Sequence, residues 1–424
     1  MAELSRAVPE GDLLRVRQEE LLRQLIGRLF TNSPFYRAKL RAAGIEPGDI
    51  TTLSDLDRLP FTTKEELREA YPLGLMAVPE EAVVRIHSSS GTTGKPVIVP
   101  YTAKDVEDWT TMFARCYTMA GVGRRDRVQV TPGYGLWTAG IGFQTAAERI
   151  GAMVVPMGPG NTEKQLQMMV DLETTVLTAT SSYALLLAEE INRRGLRERI
   201  KLKRGILGSE RWSDRMRARI EKLLGIETFD IYGMTEVYGP GIAIDCPLHR
   251  GLHYWADYLL FEVIDPETGR EVPPGTQGEL VITTLVKEGM PLLRYRTRDI
   301  TRLIPTSCPC GSPYPMIDRI LGRTDDMIKI KGVNIYPGQI DFVLKSVPGL
   351  SSEYQIILTR EAGRDQALVK VEGEPGVDAA AAAAACRNAI KTHIGVTFAV
   401  EVVPFGSLPR SEKKTQRVFD LRET

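Results

Sequence analysis

From Leu13 to Leu40 apolar residues recur at helical spacing among arginines and glutamines, and Asn32-Ser33-Pro34 interrupts the pattern as a turn before a new helix. Between about Val83 and Val286 short β-branched runs alternate with amphipathic stretches. The runs are Val128 to Thr131, Ala152 to Pro156, Thr175 to Thr178, Gly205 to Gly208 and Thr228 to Tyr232, and their alternation predicts parallel strands joined by helices. From Tyr254 to Leu303 the character changes to longer alternating strands. Turns at Asp265 to Gly269 and Pro273 to Gly275 suggest a twisted antiparallel or barrel-like section. After Gly322 the chain restarts as a smaller unit. Ile328 to Ile330 forms a strand, Tyr336-Pro337 opens a helix through Ser346, and Tyr354 to Leu358 and Ala367 to Glu372 are strands. The alanine run from Ala379 starts another helix, since alanine has the best helix propensity and Pro375 to Asp378 precedes it. No repeat of solenoid period is present.

A chain of 424 residues is too long for one ordinary core and implies two or three domains. With 43% apolar and 25% charged residues it has the composition of a soluble globular protein. Lys+Arg and Asp+Glu both number 54, so no net field draws the chain to nucleic acid or to an acidic membrane surface. The N-terminal residues lack a basic and apolar leader pattern, and no window approaches the roughly 18 apolar residues of a membrane span. The expectation is a cytoplasmic enzyme with neither nucleic-acid nor membrane partners. Five cysteines are too few for a disulfide scaffold.

Candidate chemistry begins at Ser88-Ser89-Ser90-Gly91-Thr92-Thr93-Gly94-Lys95-Pro96. Glycines let backbone approach an anion, hydroxyls donate to phosphate oxygens, and Lys95 adds positive charge. The spacing is not that of a P-loop, because Ser89 stands where the first glycine belongs and Pro96 replaces the serine or threonine. Alone, the run also suits a flexible linker.

Further segments match this loop in kind. Tyr232-Gly233-Met234-Thr235-Glu236, Tyr295-Arg296-Thr297-Arg298-Asp299, Gly322-Arg323-Thr324-Asp325-Asp326 with Lys331-Gly332, and Arg410-Ser411-Glu412-Lys413-Lys414 complete the set. Together they resemble the adenylate-forming superfamily of acyl-CoA synthetases, adenylation domains and luciferases across nearly the whole chain, and most closely the phenylacetate-CoA ligases. The resemblance implies an α/β fold: a large N-terminal domain over 1–322, a hinge at 323–326, and a small mobile α+β domain over 327–424. It implies that Ser88 to Lys95 hold the ATP phosphates, that Tyr232 flanks adenine with Ile231, Gly233 and Met234 beside it, and that Thr235 meets the α-phosphate. Glu236 would hold Mg²⁺, a hard ion that takes carboxylate oxygens beside substrate phosphates. Asp299 would accept from the ribose hydroxyls, Arg323 would contact ribose or phosphate, and Asp325 would be the pivot. Lys331 and Gly332 would approach the coenzyme A thiol, and Lys414 would be the catalytic lysine, although Lys413 stands where the subfamily carries glycine. Gly208-Ser209-Glu210 would form the adenine shelf, with Asp230 placed to accept from the adenine amino group. Tyr134, Gly135, Trp137, Ala139 and Gly140 fall where aromatic-acid ligases build an acyl slot, and aromatics with glycines leave a flat apolar space for an aryl ring.

Cys308-Pro309-Cys310 is a knuckle-like turn, and Cys246 with a histidine completes a Cys₃His set for a structural zinc with no open position. Resemblance to ligases with similar positions prefers His253 over His249. Cys116 and Cys386, in helical contexts, read as ordinary buried thiols.

The function implied is ATP-dependent ligation of an aromatic acid to coenzyme A through an acyl-adenylate. Phenylacetate comes first, ahead of benzoate, hydroxybenzoates and indoleacetate, and a homodimer is the assembly the resemblance suggests. The alternatives are an enzyme that loads a carrier-protein phosphopantetheine, and a binding module without turnover, which Glu236, Asp299 and Lys414 argue against.

Overall fold

The computed structural model describes residues 11–89, 95–326, 328–330, 333–335, 337–361, 364–409 and 417–422. The two opening helices are Asp12–Asn32 and Pro34–Ala42, and the break between them has a local cause. Ser33 leaves the helix with extended backbone, its Oγ accepts from Tyr36 N, and Pro34 occupies the first turn, where its missing N–H costs nothing.

By packing, the chain divides into two compact units. The first holds 1–179, 200–209 and 227–320, and the second holds 180–199, 210–226 and 321–424. In the first, a nine-stranded sheet runs in the order Leu303–Ile304, Met316–Ile317, Leu252–Tyr254, Gly239–Asp245, Glu227–Met234, Arg204–Gly208, Val176–Thr180, Arg127–Val130, Met153–Pro156 among the described residues. The Arg127–Val130 strand pairs in parallel with both Met153–Pro156 and Val176–Thr180, and Arg204–Gly208 pairs in parallel with Glu227–Met234, as the alternating pattern predicts. Leu259–Ile264, Gly278–Thr284 and Tyr295–Thr301 pair antiparallel. The expected alternation holds only in Tyr295–Thr301. Every position of Leu259–Ile264 and Gly278–Thr284 is buried, so these strands are covered on both faces.

The second unit has its own core, built from Ile335, Ile340, Ile356, Val369, Val371, Cys386, Ile390 and Phe398 among others. Its helix Ala379–Ile394 is capped by the Asp378 carboxylate at Ala380 N and Ala381 N and ends at left-handed Gly395, so the alanine run is a helix, as expected. This unit also takes in the helices Ser181–Arg193 and Asp214–Leu224, which the sequence pattern assigns to the large domain. Arginines make the connection. Arg215 donates to the Leu350 and Val347 carbonyls, Arg211 reaches Leu321 O at 3.0 Å, and Arg219 bridges Glu189 and Glu374. No helix among the described residues is long and apolar enough to cross a membrane.

Strand spacing leaves some positions without room for a Cβ. A Cβ on Gly278 would lie 2.3 Å from the Ile264 carbonyl oxygen across the ladder, whereas one on Gly48 meets nothing within 4 Å. Gly278→Ala should therefore cost about 2 kcal/mol or more and lower the calorimetric melting temperature by several degrees, while Gly48→Ala should stay within about 0.5 kcal/mol. Equal melting temperatures for the two variants would refute this account of the sheet.

Candidate functional site

The strand Glu227–Met234 and the turn after it carry the predicted residues Asp230 to Glu236, and the backbone around them is unusually tight. A Cβ on Gly208 would sit 2.3 Å from Ile231 O, and one on Gly233 would sit 2.0 Å from Gly239 O. Only glycine lets the neighbouring strands approach the Asp230-Ile231-Tyr232 segment this closely. Asp230 N donates to Asp245 Oδ1 at 2.9 Å. Ser209, next after Gly208, adopts left-handed φ of 68°. Glu210 turns its carboxylate to Ser181 Oγ at 3.0 Å and Ser182 N at 2.5 Å, capping the helix Ser181–Arg193.

Tyr232 and Asp299 are far apart in sequence and meet in space. The Tyr232 hydroxyl donates to Asp299 Oδ2 at 2.6 Å, with both side chains buried, and Asp299 N donates to Thr297 Oγ1 at 3.0 Å. Thr235 Oγ1 lies 3.4 Å from Thr138 Oγ1, at the start of the helix Thr138–Arg149. Glu236 is 4% exposed. Its Oε1 lies 3.0 Å from Lys64 Nζ but has no partner in hydrogen-bond geometry. Lys64 is fixed because Thr63 and Glu66 form a capping box at the start of Lys64–Glu69.

The phosphate-loop residues begin at the end of the strand Val83–Ser88. Ser89 N donates to Val97 O at 3.0 Å and Ser89 Oγ accepts from Val97 N at 2.9 Å, which pins the base of the loop. Lys95 Nζ lies 5.4 Å from the Tyr71 ring centre. Ser90, Gly91, Thr92, Thr93 and Gly94 lie outside the described residues, as do Lys331, Gly332 and Lys414. Ser88 N and His87 Nδ1 both meet Leu136 O, at 2.8 and 3.1 Å, so the predicted acyl segment is tied to the phosphate strand. In that segment Gly135 has φ of 97°, Ala139 is half-buried, and Trp137 is 54% exposed and so is not spent on the core. The Tyr134 ring packs against Gly140, where a Cβ would lie 2.9 Å from it. Its buried hydroxyl has no hydrogen-bond partner, and burial pushes the phenol up to about 12.

In the second unit Arg323 forms a two-point pair with Asp325, at 2.8 and 3.0 Å. The cysteine residues converge. The donor atoms of Cys246, His253, Cys308 and Cys310 all lie within 4.8 Å of one another, with Cys246 Sγ 3.7 Å from Cys308 Sγ and Cys310 Sγ 3.4 Å from His253 Nε2. His253 Nδ1 faces Tyr314 O at 2.8 Å, which turns Nε2 toward the sulfurs. His249 is engaged elsewhere, with Nδ1 2.9 Å from Asp245 Oδ2.

Two lysines escape the sequence reading. Lys64 and Lys287 both stand near Glu236, yet one is a lone lysine opening a short helix and the other a lone lysine in a loop, and nothing local in the sequence points to a partner so distant along the chain. Lys287 is fully buried, and burial depresses its amine to about 7 against the opposing pull of Asp105 and Glu236.

The family model for AMP-binding enzymes matches residues 29–285, and that for the AMP-binding enzyme C-terminal domain matches 332–422. The chain is 43% identical to the phenylacetate-coenzyme A ligase of Thermus thermophilus, over 97% of both chains. It is also 43% identical to that of Escherichia coli, over 97% of this chain and 95% of the relative. Among solved structures, 2-hydroxyisobutyryl-CoA ligase in the postadenylation state, in complex with R3-HIB-AMP, is similar with a TM-score of 0.87 and 30% identity, over 96% of this chain and 89% of that one.

Tyr232→Phe deletes one hydroxyl and strips a buried carboxylate of a donor, a loss worth about 1–3 kcal/mol. The dissociation constant for ATP in titration calorimetry should rise about tenfold, and an unchanged constant would separate this pair from nucleotide binding.

Proposed function

The chain belongs to the AMP-binding enzyme family, among the phenylacetate-CoA ligases, and on that footing we propose that it joins an aromatic acid, phenylacetate first, to coenzyme A. The reaction class is ATP-dependent ligation through an acyl-adenylate. In the first half-reaction a carboxylate oxygen attacks the α-phosphorus of ATP and pyrophosphate leaves. In the second the coenzyme A thiol attacks the acyl carbon and AMP leaves. The observation that carries the residue assignment is the Tyr232–Asp299 hydrogen bond at 2.6 Å, which joins two separate motifs at the end of the strand that leads into Thr235 and Glu236.

In this reading Asp299 orients the ribose, Tyr232 and Asp230 border the adenine, and Thr235 meets the α-phosphate. Ser88 to Lys95 hold the β- and γ-phosphates until pyrophosphate departs. The buried Oε1 of Glu236, which accepts no hydrogen bond and faces only the Lys64 ammonium at 3.0 Å, suits a divalent cation, and Mg²⁺ bound there would supply positive charge to the phosphate oxygens. Lys414 supplies positive potential during adenylation, a contribution by position and charge rather than by a covalent bond. The segment 323–326, with Arg323 and Asp325, serves as the hinge between a large domain over 1–322 and a lid over 327–424. Its rotation withdraws Lys414 after adenylation and brings Lys331 and Gly332 to the thiol approach. Trp137, Gly135, Ala139 and Gly140 border the aryl slot, with the Tyr134 ring packed behind Gly140. Coenzyme A rather than a carrier protein is the acceptor, in keeping with relatives that cover nearly the whole chain.

The Cys246, His253, Cys308 and Cys310 set fits structural zinc. Bonds of about 2.3 Å to sulfur and 2.0–2.1 Å to nitrogen place tetrahedral donors between about 3.4 and 3.8 Å apart, and the two separations of 3.7 and 3.4 Å agree.

Three results are expected. A panel of aryl carboxylates should release AMP in a coenzyme A-dependent manner, with phenylacetate giving the highest kcat/KM. Lys414→Ala should lower adenylation about 100-fold or more while leaving thioester formation from supplied phenylacetyl-adenylate within about threefold; equal losses in both steps contradict the assigned role. The purified enzyme should contain one zinc per chain by elemental analysis, and Cys246→Ser should lose it with a fall of about 5 °C or more in melting temperature, whereas His249→Ala should keep it.

A further inference from the structure

Lys287 is the least expected side chain in the molecule. Amines are almost never fully buried without a partner, because removing a charge from water is costly. This one is 0% exposed, and the backbone at and just after it is held by side chains. Arg28 donates to Lys287 O at 2.9 Å, and Glu288 N and Gly289 N donate to the two oxygens of buried Asp105 at 2.7 and 2.8 Å. Asp105 is itself locked at the start of the helix Ala103–Met119, where it accepts from Thr102 N at 3.0 Å. The lysine therefore enters the interior from a fixed base.

Its ammonium lies 4.5 Å from the Tyr101 ring centre and 4.7 Å from that of Tyr238, and it donates to Val237 O. Tyr101 in turn donates its hydroxyl to Tyr238 O at 2.9 Å. The carbonyls of the two residues that follow Glu236 are thus both held from below. Glu236 in turn meets Lys64, which is partly exposed, whereas Lys287 is fully buried.

We propose that Lys287 is a positioning residue for adenylation: its buried ammonium fixes the Thr235–Tyr238 turn so that the Glu236 carboxylate is aimed at the metal–triphosphate before nucleotide arrives. The proposal rests on the reading of Glu236 as the magnesium ligand. Lys287 acts through the Val237 carbonyl and through its charge beneath the turn. Methionine at this position would match its length and burial without the charge, so a purely packing role would be met by methionine and this role would not.

The test uses the full-length enzyme and Mg·ATP as the probe, which needs no acid substrate. Titration calorimetry of ATP at increasing Mg²⁺ is run on the wild type, Glu236→Gln, Lys287→Met and Lys287→Arg, with melting temperatures measured alongside. Partners that orient a metal ligand typically contribute 10–100-fold, so Lys287→Met should raise the Mg²⁺ needed for half-maximal ATP binding about tenfold or more, while Lys287→Arg, which keeps the charge, should stay within about threefold. Thioester formation from supplied phenylacetyl-adenylate should change less than about threefold in Lys287→Met. If Glu236→Gln shifts the Mg²⁺ requirement and a folded Lys287→Met does not, the proposal falls and the reading of Glu236 stands. If Glu236→Gln shifts nothing, the reading of Glu236 itself fails. Parallel losses in both half-reactions would reduce Lys287 to a structural role. Should the methionine variant not fold, Lys287→Gln keeps a donor for Val237 O without the charge and is held to the same outcomes.

Discussion

The close approach of backbones at Gly208 and Gly233 is the constraint on which the rest of the site depends. Neither position has space for a methyl group, so the strand Glu227–Met234 lies hard against its neighbours on both sides. That contact fixes where Tyr232 emerges, hence its bond to Asp299, and it sets the exit of the chain into Thr235 and Glu236. A chemical step that works by holding charges in place needs a rigid support more than reactive side chains, and close-packed sheet backbone provides one.

Zero net charge conceals strong local electrostatics. Buried Arg294 holds Glu262, and Arg296 holds buried Glu279, each through two guanidinium nitrogens or two carboxylate oxygens. These pairs lie along the antiparallel strands and keep the walls of the large unit in register. Lys287 differs from them: it is offset not by a bonded carboxylate but by rings, a carbonyl and more distant acids. An arrangement that leaves an ammonium at the edge of its charged range is poor as a structural tie, which is the physical reason to look for another role.

Much of the fold was legible because its signals are local. Ser33-Pro34 starts a helix through a hydroxyl cap and a fixed φ, and the β-branched runs became the parallel strands of the large sheet. The motif residues Tyr232 and Asp299 could be recognised one by one, and their meeting follows from the fold. What the sequence could not reveal is long-range. The burial of Leu259–Ile264 and Gly278–Thr284 on both faces depends on what covers them, not on their own alternation. The helix Asp214–Leu224 groups with the C-terminal segment because its arginines reach main-chain carbonyls, contacts that leave no trace in residue type at the accepting end. Lys64 and Lys287 were illegible for the same reason. Both His249 and His253 have a partner at Nδ1, Asp245 for one and the Tyr314 carbonyl for the other, and it is the fold that brings Nε2 of His253 to the sulfurs.

The chain contains four tryptophans, and the burial of three of them gives the fourth a special standing. Trp109, Trp212 and Trp255 are at most 7% exposed, while Trp137 stands 54% exposed in the segment tied to the phosphate strand through Leu136. Its indole alone faces water broadly, so the long-wavelength part of the protein's emission belongs to that one residue. Whatever dries that segment changes the colour of a single lamp, and the protein carries an intrinsic optical gauge of the surroundings of Trp137, with no label attached.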